Sequence, residues 1–198
     1  MDLWSIENEI LDSGISPVCG VDEAGRGPLA GPVCAAAVIL PRGLEIPGLD
    51  DSKKLTPKRR EALYHVICSR AVAYGIAFAS VEEIEQLNIL GATYLAMNRA
   101  IEALSLKPAL ALIDGNCNAG IKYPSRCIVG GDGKCVSIAA ASILAKVSRD
   151  RLMCKLAEKY SNYGFERHMG YATKMHYEAL RVYGPSPIHR LSFLKKLH

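Results

Sequence analysis

The sequence predicts an α/β fold, a mixed sheet flanked by helices, followed by a helical extension over about residues 160–198. Three observations predict it. Strand-like apolar runs come early and helical periodicities accumulate later, which argues against a strictly alternating β/α chain. The first two strand-like runs are joined by a short Gly/Pro-rich turn, as in an antiparallel hairpin. No repeat and no low-complexity linker divides the 198 residues, so one domain spanning 1–198 is expected.

Leu3, Ile6, Ile10 and Leu11 recur at helical spacing over Asp2 to Leu11, and Gly14 and Pro17 end that helix. Val18 to Val21 and Val33 to Leu40 read as the hairpin strands. Asp50-Asp51-Ser52-Lys53-Lys54 is a polar loop. Thr56-Pro57 then opens a helix, with Thr as N-cap and Pro at the first helical position, running to about Arg70. Ala71 to Ser80 reads as a strand, Val81 to Leu87 as a short helix and Ile89 to Leu104 as a longer one. Ala109 to Ile113 and Ile128-Val129 supply two further short strands. Val136 to about Tyr160 is a long helix rich in Ala, Ile and Leu. Asn162 to Gly170 reads as a polar loop, and Thr173 to Tyr183 and Leu191 to Leu197 as helices.

Composition excludes several classes. No apolar stretch approaches the roughly 18 residues of a membrane span, and the acidic start Met1-Asp2-Leu3-Trp4-Ser5-Ile6-Glu7 is not a signal peptide. A cytoplasmic address and no membrane partner follow as expectations. The seven cysteines are odd in number and show no C-x-x-C spacing, so disulfide frameworks and zinc ribbons are not expected, and all seven are read as reduced packing residues. Net charge is +4, mildly basic. From Phe165 onward, Arg167, Lys174, Arg181, Arg190, Lys195 and Lys196 face only Glu166 and Glu178, and His168, His176, His189 and His198 lie in the same stretch. Such an end could steer a polyanion. A solvated terminal helix is the plainer reading of charge alone.

The acids carry more information. Asp22-Glu23 closes the first strand, Asp114 follows an apolar strand and precedes Gly115, and Asp132 follows Gly130-Gly131 ahead of the long helix. An acid just past a buried strand faces the crevice outside the sheet, where open α/β folds bind ligands. Clustered carboxylates raise one another's pKa, and a dication relieves the repulsion. Hard oxygen ligands suit Mg²⁺ or Mn²⁺, and two such ions can drive phosphodiester cleavage. Taken singly, an Asp at a strand end usually caps a turn, and it is the four acids together that favour a metal site. Adjacent strand residues also point to opposite faces, so Asp22 and Glu23 share one site only if the strand has ended or if Glu23 offers its carbonyl.

Gly25-Arg26-Gly27-Pro28-Leu29-Ala30 matches G-x-G-x-x-A after a strand, the pattern of a dinucleotide-dependent oxidoreductase. That chemistry needs a helix start behind the glycines. Here Gly31-Pro32 and a β-type run follow, which favours a tight loop whose bare backbone can approach a nucleic-acid strand and read a 2′-OH.

Taken together, Gly20-Val21-Asp22-Glu23-Ala24-Gly25-Arg26-Gly27-Pro28-Leu29-Ala30-Gly31-Pro32-Val33 resembles the opening signature of the ribonuclease HII family. Asp51-Ser52-Lys53-Lys54-Leu55, Ile113-Asp114-Gly115-Asn116, Gly131-Asp132, the helix block from Ile138 through Ser142, Lys146 and Arg149 to Asp150, Gly170-Tyr171, Thr173, His176 and Pro187-Ile188-His189-Arg190 are similar to its later blocks, in order, from about residue 18 to 193. The resemblance implies a ribonuclease H-like five-stranded mixed sheet. It implies an endonuclease that cuts the RNA strand of RNA–DNA hybrids and nicks 5′ to ribonucleotides in duplex DNA, leaving 3′-OH and 5′-phosphate ends with two metal ions. Asp22, Glu23, Asp114 and Asp132 would be its metal-binding carboxylates. Gly25, Arg26 and Gly27 would recognise the ribonucleotide, and Tyr171 would stack on the neighbouring deoxyribose. Lys53, Ser142 and Lys146 are candidate phosphate contacts, the last two on one helix face. His176, His189 and Arg190 are left as structural or weak phosphate contacts. A monomer is the default expectation, and a non-catalytic hybrid-binding module is the remaining alternative. Two positions depart from the family pattern: Met169 and Gly130 stand where lysine is common, which removes two basic groups near the expected duplex path.

Overall fold

The computed structural model describes residues 3–194. Its centre is a five-stranded sheet in the order β3-β2-β1-β4-β5, with β1 Val18–Ala24, β2 Val33–Ile39, β3 Ala73–Ala79, β4 Leu110–Asp114 and β5 Ser125–Ile128. β1, β2 and β3 pair antiparallel, while β1–β4 and β4–β5 are parallel. The sheet is therefore mixed, and the hairpin read from the sequence is present.

Strand alternation sorts the helices. Cys19, Val21, Ala35, Ala37, Ala111 and Ile113 face α3 (Val81–Glu102). Cys34, Ala36 and Val38 face α2 (Pro57–Arg70) and α4 (Val136–Lys159) on the other side. α4 lies close on the sheet because its contact stripe is small: Ala140, Ala141 and Ala145 are fully buried. Gly20 is required by the same approach, since a Cβ there would strike the α4 backbone at Ser137 and Ile138. The N-terminal helix α1 (Ser5–Asp12) contributes Glu7, whose carboxylate accepts the Val136 and Ser137 N–H groups at 3.1 and 3.0 Å and so caps α4.

The helix boundaries largely follow the sequence signals. Thr56 Oγ1 accepts the Arg59 N–H, and Ser80 with Glu83 forms a capping box at α3. The two helices expected around position 88 are present as one kinked element: Asn88 sits at φ 59, and its side chain takes the Leu90 and Gly91 N–H groups.

Three readings need correction. β1 runs to Ala24 instead of ending at Val21, because Asp22, Glu23 and Ala24 pair with Ala36, Ala35 and Cys34. Residues 162–170 are not a polar loop. They hold a 3-10 turn at Ser161–Tyr163 and the one-turn helix α5 (Phe165–His168), with Tyr163, Phe165 and His168 buried. Among the cysteines, which form no disulfide, Cys117 and Cys154 are exposed and do not pack. Burial pushes the Cys19 and Cys135 thiols up to about 12. α6 (Lys174–Tyr183) and α7 (Leu191–Leu194) are the last described elements; the expected helix residues beyond Leu194 lie outside the described residues. No helix among the described residues is long and apolar enough to cross a membrane.

Candidate active site

The β1–β4 register builds the site. Val21 pairs with Ile113 in parallel, and one residue further on Asp22 and Asp114 stand side by side on the face toward α4. Asp132 arrives from the 3-10 turn Gly131–Gly133 that links β5 to α4. That turn is pinned where the Gly131 N–H donates to Asp114 Oδ1 at 2.7 Å. One carboxylate oxygen from each of Asp22, Asp114 and Asp132 lies within 4.8 Å of the others.

Glu23 is the exception among the four expected carboxylates. With β1 still extended at that position, its side chain leaves on the opposite face and meets Arg26 Nη1 at 3.3 Å. There it lines a small cleft with Thr93, Tyr94, Asp114 and Asn116. Its backbone N–H donates to Asp22 Oδ1 at 2.7 Å, so it orients that carboxylate from the main chain.

Negative charge is concentrated at the site. Burial, then the charges of Glu23 and Asp114, holds Asp22 well above the usual carboxylate range. Asp114 is raised by burial and by Asp132, against the lowering effect of the Gly131 N–H. Burial also raises Glu23, partly offset by Arg26. Lys53 reaches in from a solvated turn to Asp132 Oδ2 at 3.0 Å. Burial works against the Lys53 charge, but its hydrogen bond to Asp132 lifts its pKa overall. Among the described residues, Lys53 is the only ion-pair partner of the three converging carboxylates. An all-oxygen donor set of this kind fits a hard divalent ion.

The glycine-rich turn sits beside this cluster, and β2, not a helix, follows it. The dinucleotide-binding alternative therefore falls. Gly25 adopts φ +97, and a Cβ there would land on the Arg149 side chain. Gly27 faces open space, where a Cβ would meet only Tyr171 Cε1, at 4.0 Å. Tyr171 is 41% exposed, with Lys146 Nζ and the Arg149 guanidinium 5.7 and 5.8 Å from its ring centre. Lys146 is held by Asp150 at 2.7 Å. Ser142 is buried, and its hydroxyl accepts the Ser52 N–H at 3.3 Å, so it anchors the turn that carries Lys53 and does not present itself at the surface.

The sequence did not reveal what holds the turn. Arg190 is fully buried, and its guanidinium donates to the carbonyls of Gly25, Arg26, Pro28 and Gly31 at 2.6–2.9 Å. Arg149, also fully buried, donates to Ala30, Pro32 and Met169. Burial and the neighbouring Arg149 press Arg190 down to about 9, which still leaves it charged at neutral pH. His168, His176 and His189 are buried too, so these groups do not form the exposed basic end read from the sequence, and Arg190 is no phosphate contact. The signal available was weak: an Arg amid apolar residues, ahead of Leu191 and Phe193. The departures have local reasons. Met169 packs beside Ala30, Met153 and Phe165, and Gly130 enters its turn at φ 64.

A sequence model described as Ribonuclease HII matches residues 19–196. The chain belongs to the ribonuclease HII family. Ribonuclease HII of Caldicellulosiruptor bescii is 51% identical over 98% of this chain and 94% of its own length. That of Dechloromonas aromatica is 58% identical over 89% of this chain and 90% of its own length. The crystal structure of ribonuclease H2 from Pyrococcus horikoshii OT3 superimposes with a TM-score of 0.74 at 30% identity, covering 91% of this chain and 96% of that one. The chain is thus a nuclease of the ribonuclease HII type, a family in which metal dependence is typical, and its five-stranded mixed sheet is the ribonuclease H-like one.

Proposed function

We propose that the chain hydrolyses the RNA strand of RNA–DNA hybrids and nicks duplex DNA on the 5′ side of embedded ribonucleotides, leaving 3′-OH and 5′-phosphate ends. One observation carries this reading: the convergence of Asp22, Asp114 and Asp132 within 4.8 Å, beside a glycine turn and an exposed tyrosine ring. Asp22, Asp114 and Asp132 would hold Mg²⁺ or Mn²⁺, with Glu23 contributing from the edge of the site. Bound divalent ions there supply Lewis acidity for phosphodiester hydrolysis.

The chain's own groups divide the remaining work. Lys53 balances Asp132 and, from its solvated turn, would be free to meet a substrate phosphate were that carboxylate to hold an ion. Gly25, Arg26 and Gly27 present main chain to the ribose 2′-OH, the group that separates RNA from DNA. Their carbonyls are already fixed by Arg190 or lie on that fixed turn, so little ordering remains for substrate to induce. Tyr171 stacks on the adjoining deoxyribose. Lys146 and the turn anchored by Ser142 position phosphates without reading sequence. Residues 160–194 form the wall that carries Tyr171 and Arg190, so the chain acts as one catalytic unit.

Mapping the products on two end-labelled duplexes tests this reading. One is a uniform RNA–DNA hybrid, and the other is DNA with a single ribonucleotide. The expected result is cutting of both, with a ligatable 3′-OH and 5′-phosphate and the single nick immediately 5′ to the ribonucleotide. Cutting of all-DNA duplex at a similar rate would overturn the proposed selectivity.

A further inference from the structure

Two buried imidazoles connect the segment carrying Arg190 to the segment carrying Tyr171, and main-chain groups dictate which nitrogen of each ring holds its proton. Ser186 N–H donates to His189 Nδ1 at 2.8 Å, so in the neutral ring the proton is on Nε2. His189 Nε2 meets His176 Nε2 at 2.9 Å. His176 Nδ1 lies 2.9 Å from the Tyr171 carbonyl, which can only accept, so the His176 proton is on Nδ1 and its Nε2 lone pair receives the His189 proton. Each ring carries one proton, and all three bonds point the same way, ending on Tyr171. His176 is fully buried and His189 nearly so. Phe165 lies edge-on to His176 at 5.5 Å, and Tyr163 lies 4.9 Å from His189. No water-facing group is needed to complete the chain of bonds.

We propose that His176 is a positioning residue for Tyr171, its donor nitrogen set by His189 in a one-way relay from Ser186 to the Tyr171 carbonyl that holds the phenol ring over Gly27. The proposal rests on the reading of Tyr171 as the ring that stacks on substrate. Leu29 N–H donates to the Gly170 carbonyl at 2.8 Å and Arg190 N–H to the Leu29 carbonyl at 2.8 Å, so the relay and the glycine turn share one scaffold. Of the relay's bonds only the last reaches Tyr171, and it adds a side-chain donor to the Thr173 N–H on the Tyr171 carbonyl at 2.9 Å and to the Tyr171 N–H on the His168 carbonyl at 2.8 Å.

Asparagine and glutamine at position 176 separate positioning from bulk packing. The Asn amide sits where Nδ1 was and keeps the donor to the Tyr171 carbonyl. The Gln amide reaches toward Nε2 and His189 and leaves that carbonyl with the Thr173 N–H as its remaining donor. Cleavage of a duplex with one ribonucleotide is measured under saturating Mn²⁺ for His176→Asn and His176→Gln, each with Tyr171 intact and with Tyr171→Ala, alongside thermal melts. Losing an aromatic stack lowers kcat/KM about tenfold or more in Tyr171→Ala. His176→Gln is expected to approach that loss, with His176→Asn close to wild type. In the Tyr171→Ala background neither change should lower the rate further. Equal losses for Asn and Gln, or a Gln loss undiminished in the Tyr171→Ala background, would overturn the relay alone. Wild-type rates in Tyr171→Ala would remove the stacking role and the relay together.

Discussion

Asp22 shows how a single residue trades stability for chemistry. It is buried, its neighbours are acids, and its carboxyl is held well above the normal range by burial and by Glu23 and Asp114. An amide keeps the shape and the oxygen that accepts the Glu23 N–H, but sheds the charge. Without metal, Asp22→Asn is therefore expected to melt higher than wild type, by about 0.5–2 kcal/mol, while losing cleavage. Added Mn²⁺ should raise the melting temperature of wild type more than that of the variant. A variant less stable than wild type in EDTA would contradict this account of the site. The two glycines of the turn separate in the same way. Gly25→Ala meets a left-handed φ and the Arg149 side chain, and should cost about 2 kcal/mol or more. Gly27→Ala meets neither, so its melting temperature should stay within about 0.5 kcal/mol of wild type. Its cleavage at a single ribonucleotide should nonetheless fall, because the added methyl stands where substrate approaches. Equal melting losses for the two would mean that Gly27 is structural.

At the scale of elements, the C-terminal segment is the part whose role changed most between sequence and structure. Its histidines are wrapped by Tyr163 and Phe165, and burial together with His176 pushes His189 down to about 4 from the ordinary 6.5. Between those values the unfolded chain binds a proton that the folded chain refuses. Stability is therefore complete above pH 6.5 and declines as pH falls toward 4, by roughly 3 kcal/mol from this residue. Melting curves across that range should be flatter for His189→Gln than for wild type, and parallel curves would show that His189 does not set the slope. This segment was poorly legible because its order comes from Arg190 and ring packing between distant positions, which local periodicity does not report. α5 is a single turn between Gly164 and Met169, both at positive φ, too short to leave a pattern. α2 was legible because its signal is local, Thr56-Pro57, and α3 was read as two helices meeting at position 88, where the structure has its kink. β1 read short because Asp22 and Glu23 are poor strand formers, and only pairing with β2 carries the strand through them.

For the molecule as a whole, the sheet brings together acids that lie far apart in the chain. Asp22 and Asp114 meet through the parallel β1–β4 register, and Asp132 meets them through the turn after β5. The sequence made the four carboxylates visible as candidates, since each lies at a strand end or beside glycine. It could not say that three converge while Glu23 departs on the opposite face, because that depends on how far β1 continues. Around this centre, two buried arginines without a salt-bridge partner among the described residues fasten the N-terminal glycine turn to the C-terminal segment. The central claim is that the converging aspartates act through a divalent ion, and one assay tests it most directly. An end-labelled DNA duplex carrying one ribonucleotide is incubated with wild type or with folded Asp114→Asn, in Mg²⁺, Mn²⁺ or EDTA. The account predicts a nick 5′ to the ribonucleotide by wild type with either metal, none in EDTA, and almost none by Asp114→Asn in any condition. Undiminished nicking in EDTA, or by folded Asp114→Asn, would contradict it.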